Sequence, residues 1–377
     1  MNEDNFWYMA RHIYLYGKNS LKVDDINDDF DDDYYGLAHR ERMSIHSIAV
    51  SNERTGQFYD AFLDYHNDKS FSDKIIQNTF DDVGKWRGRP NDVRARVIIE
   101  IIQVQVIYMF VLSKLDMAVS QCSGLLWDEA AALIIGTLEG DEKGGAKDFR
   151  DGKLLWGLAN KRGLDFRRLN DEVYSFVNAS LENLLFSGKG KILAGSCTNL
   201  GHTSKRISHL LLIPVIQNVI KYAISNEFLP PTSLEPGVAL GEVNANVVIP
   251  IFGMYDADSA ELINRNMIVT TFGILVESGP QAVADAYLKI SESFGIECDY
   301  IGVRYEVDGC ANYKDIMKVS TWYAFCFVWQ VFYIPLMTIL IFSSKDPDNE
   351  DISSVAVRNL SFVPCCTIIV GALLLLI

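Results

Sequence analysis

Bases are scarce in this chain of 377 residues: 34 Lys and Arg stand against 49 Asp and Glu, a net charge of −15. Such a balance speaks against a nucleic-acid partner, because phosphate backbones are held by positive surfaces. Enzyme signatures are missing too. The sequence has no G-x-S-x-G, no H-E-x-x-H and no C-x-x-C, and its six His are scattered. Gly188-Lys-Gly190 does not extend into a dinucleotide fingerprint, and Gly140 to Lys147 lacks the Gly-Lys-Ser/Thr ending of a phosphate loop. A zinc centre or an activated nucleophile therefore has no support, and a hydrolase is a distant third reading. The first residues, Met-Asn-Glu-Asp-Asn, carry no basic stretch followed by an apolar one. The features of the C-terminus want a secretory route, so a leader upstream of Met1 is expected.

Acid is present in excess and partly concentrated. Seven Asp fall between Asp24 and Asp33. An EF-hand loop begun at Asp25 puts Phe30 where the sharp turn needs Gly and Gly36 where a bidentate Glu belongs, so the run reads as a solvated loop. Of seven Cys, Cys326, Cys365 and Cys366 lie in apolar tail segments. Cys122, Cys197, Cys298 and Cys310 remain, and their three possible pairings stay open. Two sequons, at Asn178 and Asn359, are compatible with secretion.

The apolar fraction, 49%, is ample for a core. Trp322 to Phe342 is a run of 21 residues without a charge, kinked at Pro335, and Leu360 to Ile377 is a second of 18. At about 1.5 Å per residue each approaches the thickness of a bilayer core. Both are expected to insert, with 343–359 as an acidic linker. Upstream, residues 1–320 are expected to form an all-α domain, with possible halves at 1–195 and 196–320. Val93 to Ser120 has neither Gly nor Pro and reads as one buried helix, since Glu100, Gln103 and Gln105 argue against a membrane span. Other helices are expected over Tyr59–His66, Phe71–Phe80, Trp127–Leu138, Lys153–Arg162, Asn170–Phe186, Ile207–Phe228, Ser259–Glu277 and Pro280–Phe294. Glu242 to Phe252 is ambiguous between helix and strand. It faintly echoes Glu129 to Gly136, which hints at a duplicated bundle.

The candidate chemistry is a set of oxygen donors on apolar helices. Asp128 and Glu129 open one; they are either helix-terminal carboxylates or metal ligands. Glu139 joins them only if that helix ends early. Glu100 sits in an apolar helix and must be paired, protonated or bound to a cation, with Tyr108 on a similar face. His39 and His46 lie one heptad apart on an expected helix through Arg40 to Ala49 and read as surface or satisfied histidines. Lys161 and Arg162, followed by Asp165, form either a solvated helix end or an anion site.

Several segments are similar to one family. Trp127-Asp-Glu-Ala-Ala-Ala-Leu-Ile-Ile-Gly-Thr-Leu-Glu-Gly140 resembles a W-D-E-A…G-S-L-E-G segment of the low-iron-inducible periplasmic proteins, which include algal iron-assimilation proteins and diatom phytotransferrins. Gly152 to Phe166, Ala10 to Ser20 and Gly279 to Ala286 resemble further motifs of that family, in order, so the likeness spans about residues 6–305. It implies cell-surface capture of ferric iron together with carbonate. Within the matching segments it points to Asp128, Glu129, Glu100 and Tyr108 as metal ligands, then Glu139 and Tyr14, with Lys161 and Arg162 holding the carbonate. Two positions depart from the pattern: Asn160 stands for an Asp and Gly163 for a Cys. They motivate the alternative, a membrane-anchored structural or adhesion protein that has lost the metal.

Overall fold

A computed structural model describes residues 3–17 and 44–302, apart from 53, 141, 143–144, 171–173, 271–274 and 297. The two tail runs, the acidic linker, the Asp24–Asp33 run, His39, Cys310 and Asn359 lie outside these residues. Helices dominate, and no strand occurs among the described residues beyond an isolated bridge between Leu169 and Ser175.

The first layer is built from short amphipathic helices. They are α1 (Glu3–Tyr16), α2 (Ile45–Ala49), α3 (Gln57–His66) and α4 (Phe71–Phe80). Within the expected Arg40–Ala49 stretch α2 starts at Ile45, where Ser44 and Ser47 form a reciprocal capping box. Then comes one continuous helical run: α5 (Asn91–Ile101), a π-helical segment (Ile102–Ile107) and α6 (Tyr108–Gln121). The polar residues that interrupt this run each meet a partner in the core. Gln103 Nε2 donates to Leu154 O at 2.7 Å, and Gln105 Nε2 donates to Val243 O at 3.0 Å.

Helix α7 (Gly124–Ile135) stops three residues short of the expected Leu138, because Gly136 turns away with φ +91°. Helices α8 (Leu155–Asp165) and α9 (Phe176–Leu193) follow. The centre is α10 (Leu200–Asn226) against α11 (Pro236–Gly253), both buried along most of their length. The stretch that was ambiguous between helix and strand is thus helical, opened by Pro236 in its first turn. Helix α12 (Ala257–Met267) ends well before Glu277, where Val269 N donates instead to Glu242 Oε2 at 2.8 Å. Helices α13 (Gly279–Phe294) and α14 (Cys298–Ile301) close the described chain.

Among the described residues two helical runs, Asn91–Gln121 and Cys197–Asn226, are long and apolar enough to cross a membrane. Their most apolar windows are 67% and 78% buried within the domain, which is also what a core helix requires.

Candidate functional site

The expected ligands on α7 have other partners. Glu129 Oε2 pairs with Lys114 Nζ of α6 at 2.7 Å, and Asp128 Oδ2 pairs with Lys189 Nζ of α9 at 2.5 Å. Glu139 lies in the exposed turn beyond the early end of α7. Tyr108 is fully buried and donates its hydroxyl to Ser208 O at 3.4 Å, and burial pushes its phenol up. Among the described residues no group of three or more His, Cys, Asp and Glu is placed to hold a metal. The structure therefore does not gather these four residues into one ligand set.

Tyr14 is different. Its hydroxyl donates to Asp73 Oδ1 at 2.6 Å, and His46 Nδ1 lies 2.7 Å from the same oxygen. A phenol, a carboxylate and an imidazole thus meet where α1, α2 and α4 join. Tyr14 and Asp73 are 3% and 5% exposed, so the contact is nearly dry, while the His46 side chain is 32% exposed and forms its edge. Gln77 Nε2 donates to the second oxygen of Asp73 at 3.0 Å. Arg11, one turn before Tyr14, donates to Gln77 Oε1 at 3.3 Å and to Asp81 Oδ1 at 2.7 Å. The Arg11 Nε is buried without a hydrogen-bond partner. Burial, then the Asp73 hydrogen bond and charge, raise the Tyr14 phenol, while Arg54 pulls weakly the other way.

Local sequence explains this meeting. Trp7 on α1 packs edge-on against Phe80 of α4 at 6.0 Å and lies under the Arg94 guanidinium at 4.5 Å, which sets α1 against α4. Asp73 occupies the first turn of α4, where the helix dipole favours a carboxylate. The Ser44 cap fixes the start of α2, and His46 follows two residues later. Sequence reasoning placed only Tyr14 in a site. His46 reads from the sequence as a surface or satisfied histidine, and nothing in the sequence singles out Asp73.

A second arrangement contains Glu100, Lys161 and Arg162. They line a cavity of about 750 Å³ between α5, α8, α10 and α11, together with Arg96, Lys153 and Lys221. Glu100 Oε1 accepts from Asn218 Nδ2 at 2.7 Å and from Asn244 Nδ2 at 2.9 Å. Burial raises the Glu100 carboxyl, opposed by the Asn244 hydrogen bond and by the charges of Arg162, Lys161 and Lys221. Arg162 is 2% exposed, with Nη1 2.7 Å from Asp165 Oδ2. This cavity is separate from the Tyr14 cluster. Arg94 of α5 donates to Thr79 O of α4, whereas Arg96 and Glu100 of the same helix line the cavity. The expected anion residues thus share a cavity with Glu100 but not with Tyr14.

The two departures from the family pattern have structural reasons. Asn160 Nδ2 donates to Arg150 O at 2.9 Å, and its Oδ1 accepts from Ser175 N at 3.1 Å and Asn178 Nδ2 at 2.8 Å. An ionised Asp has no N–H for the first of these bonds. A Cβ at Gly163 would stand 2.7 Å from Ser175 Cβ and 3.0 Å from Arg168 O, so a cysteine does not fit there without movement. Asn178 is fully buried, which removes its sequon from the folded surface. Of the open cysteine pairings the structure contains Cys122–Cys197, joining the end of α6 to the segment before α10.

No protein-family model, no curated protein and no solved structure matches this chain.

Proposed function

We propose that this protein captures ferric iron with carbonate as a synergistic anion, in the manner of the phytotransferrins its motifs resemble, and that Tyr14, Asp73 and His46 hold the metal. The observation that carries the reading is the meeting of the Tyr14 phenol and the His46 imidazole on one Asp73 oxygen, at 2.6 and 2.7 Å. Ferric iron is a hard cation that favours phenolate and carboxylate oxygen. The cavity around Glu100 is a poorer choice for the metal, because five basic side chains there outnumber one carboxylate and repel a trivalent cation.

The chemistry follows from the residues. Iron takes the place of the protons that now bridge Tyr14 and His46 to Asp73. The Tyr14 proton passes to solvent, and the phenolate oxygen becomes a ligand. A ferric ion with one phenolate, one carboxylate and one carbonate carries a single negative charge. Arg11, whose charge is already paired with Asp81, keeps an unpartnered Nε that would give the carbonate a donor. Acid reverses the sequence, since protons compete for the same oxygens.

Location belongs to the same proposal. A disulfide fits an oxidising compartment, and the uncharged runs at 322–342 and 360–377 fit a tether at the plasma membrane, with the helical domain outside the cell. The test is a ferric titration of the purified full chain with and without bicarbonate, read as the visible phenolate-to-iron band. We expect a band that needs both ions, vanishes in Tyr14→Phe and Asp73→Asn, and survives in Glu129→Ala. A band that persists in Tyr14→Phe refutes this ligand set. No metal binding under any condition returns the chain to the structural or adhesion reading.

A further inference from the structure

We propose that the basic cavity between α5, α8, α10 and α11 binds a small hydroxylated polyanion, independently of the iron site. The first observation is charge. Five basic side chains and one carboxylate line it, on a chain whose net charge is −15; two of the five, Arg162 and Lys221, share Asp165 at 2.7 and 2.9 Å. Arg96 and Lys161 form no close ion pair among the described residues, although the Lys161 charge acts on Glu100 across the cavity.

The second observation is an unmet donor. Arg162 is 2% exposed, lines the cavity and has a buried Nε without a hydrogen-bond partner. A buried guanidinium donor left unmatched is costly, and an oxyanion in the cavity supplies the missing acceptor. The backbone adds to this. Helices α8 and α11 both begin at the cavity wall, and neither has a side-chain N-cap: Leu154 and Glu235 at those positions make no capping bond. Their first-turn N–H groups and dipoles favour negative charge in the space they border. Gly157 and Gly237 let the wall close: a Cβ would meet Gly152 O at 2.5 Å in the first case and Asn226 Oδ1 at 2.7 Å in the second.

The third observation concerns the rest of the ligand. Glu100, held by two Asn amides, remains an acceptor in an otherwise basic wall, and Tyr222 and Ser225 add hydroxyls. An all-anionic ligand has no use for Glu100, whereas hydroxyl groups beside the anionic ones do. The volume, about 750 Å³, suits a small metabolite rather than a single inorganic ion. Hydroxylated polycarboxylates and sugar phosphates share this chemistry.

Calorimetric titration of the iron-free full chain with citrate, glucose 6-phosphate and inorganic phosphate tests the proposal and separates the two sources. One of the first two should bind about tenfold or more tighter than inorganic phosphate, with an affinity that falls as salt is raised. Arg96→Gln/Lys161→Gln, at two exposed positions, should weaken that ligand about tenfold or more. Tyr14→Phe should leave it unchanged, which keeps this outcome distinct from the fate of the iron site. Equal affinity for inorganic phosphate, no binding of either organic anion, or an affinity that the double variant leaves intact overturns the proposal.

Discussion

The indole of Trp127 occupies the space in which a side chain at Gly188 would begin. Trp127 is 1% exposed, and its Nε1 donates to Leu185 O of α9 at 3.0 Å. Helices α7 and α9 therefore approach closely at one glycine, with a rigid ring filling the gap. Gly188→Ala should destabilise the fold by about 1–3 kcal/mol or more, since the obstruction is a ring held in the core and not the end of a flexible chain. Thermal unfolding of the variant measures this, and an unchanged midpoint would show that α9 can move away freely.

The same helix gives Glu129 a structural part. Its carboxylate faces Lys114, whose side chain is only 9% exposed. Removing the acid leaves a largely desolvated ammonium without its partner. Glu129→Ala should cost about 1–2 kcal/mol, a figure reduced for the partial exposure of Glu129. Denaturant titration checks the loss, and Glu129→Ala/Lys114→Met should recover much of it by removing both charges.

Iron binding at Tyr14 should be steeply pH-dependent. The buried phenol is raised above its ordinary value, so it is protonated in the metal-free protein at neutral pH, and binding must release that proton. Affinity then rises with pH by about tenfold per unit for each proton released. A competition titration against a chelator at several pH values gives the slope. Tyr14→Phe should lower it by about one proton, and a slope equal in both proteins would exclude the phenolate as a ligand.

Much of the fold was legible because long helices announce themselves. The Val93–Ser120 run lacks helix breakers, and its three polar interruptions turn out to be the groups that link it to α4, α8, α10 and α11. Element ends were less legible. The stop of α12 at Met267 follows from a tertiary contact, Val269 N with Glu242, that local pattern does not encode. The site was legible only in pieces. Tyr14 stood in a recognisable motif, but its partners Asp73 and His46 come from other helices, 59 and 32 residues away in sequence. An acid in a first turn and a lone histidine have structural explanations until packing brings them to one oxygen. Lys161 and Arg162 were readable as a basic pair, but the cavity they line draws on four helices.

Acid should weaken the fold through two imidazoles, His209 buried and His66 half-buried. His66 stacks on Phe71 at 3.6 Å and donates from Nε2 to Asn246 O at 3.1 Å; His209 stacks on Phe58 at 5.7 Å. Burial lowers each to about 4, with the charge of Lys205 adding to the effect on His209. Between about pH 4 and 6.5 the unfolded chain binds protons that the folded chain refuses, so stability rises with pH across that window. The full effect is of order 3 kcal/mol per imidazole, complete only below the folded value. Denaturant midpoints measured across the window should therefore fall on acidification. In His66→Phe/His209→Phe, which keeps the aromatic packing and removes both titrating groups, the fall should shrink by most of that amount. If the double variant shows the same slope as the parent, carboxylates and not these histidines govern acid sensitivity.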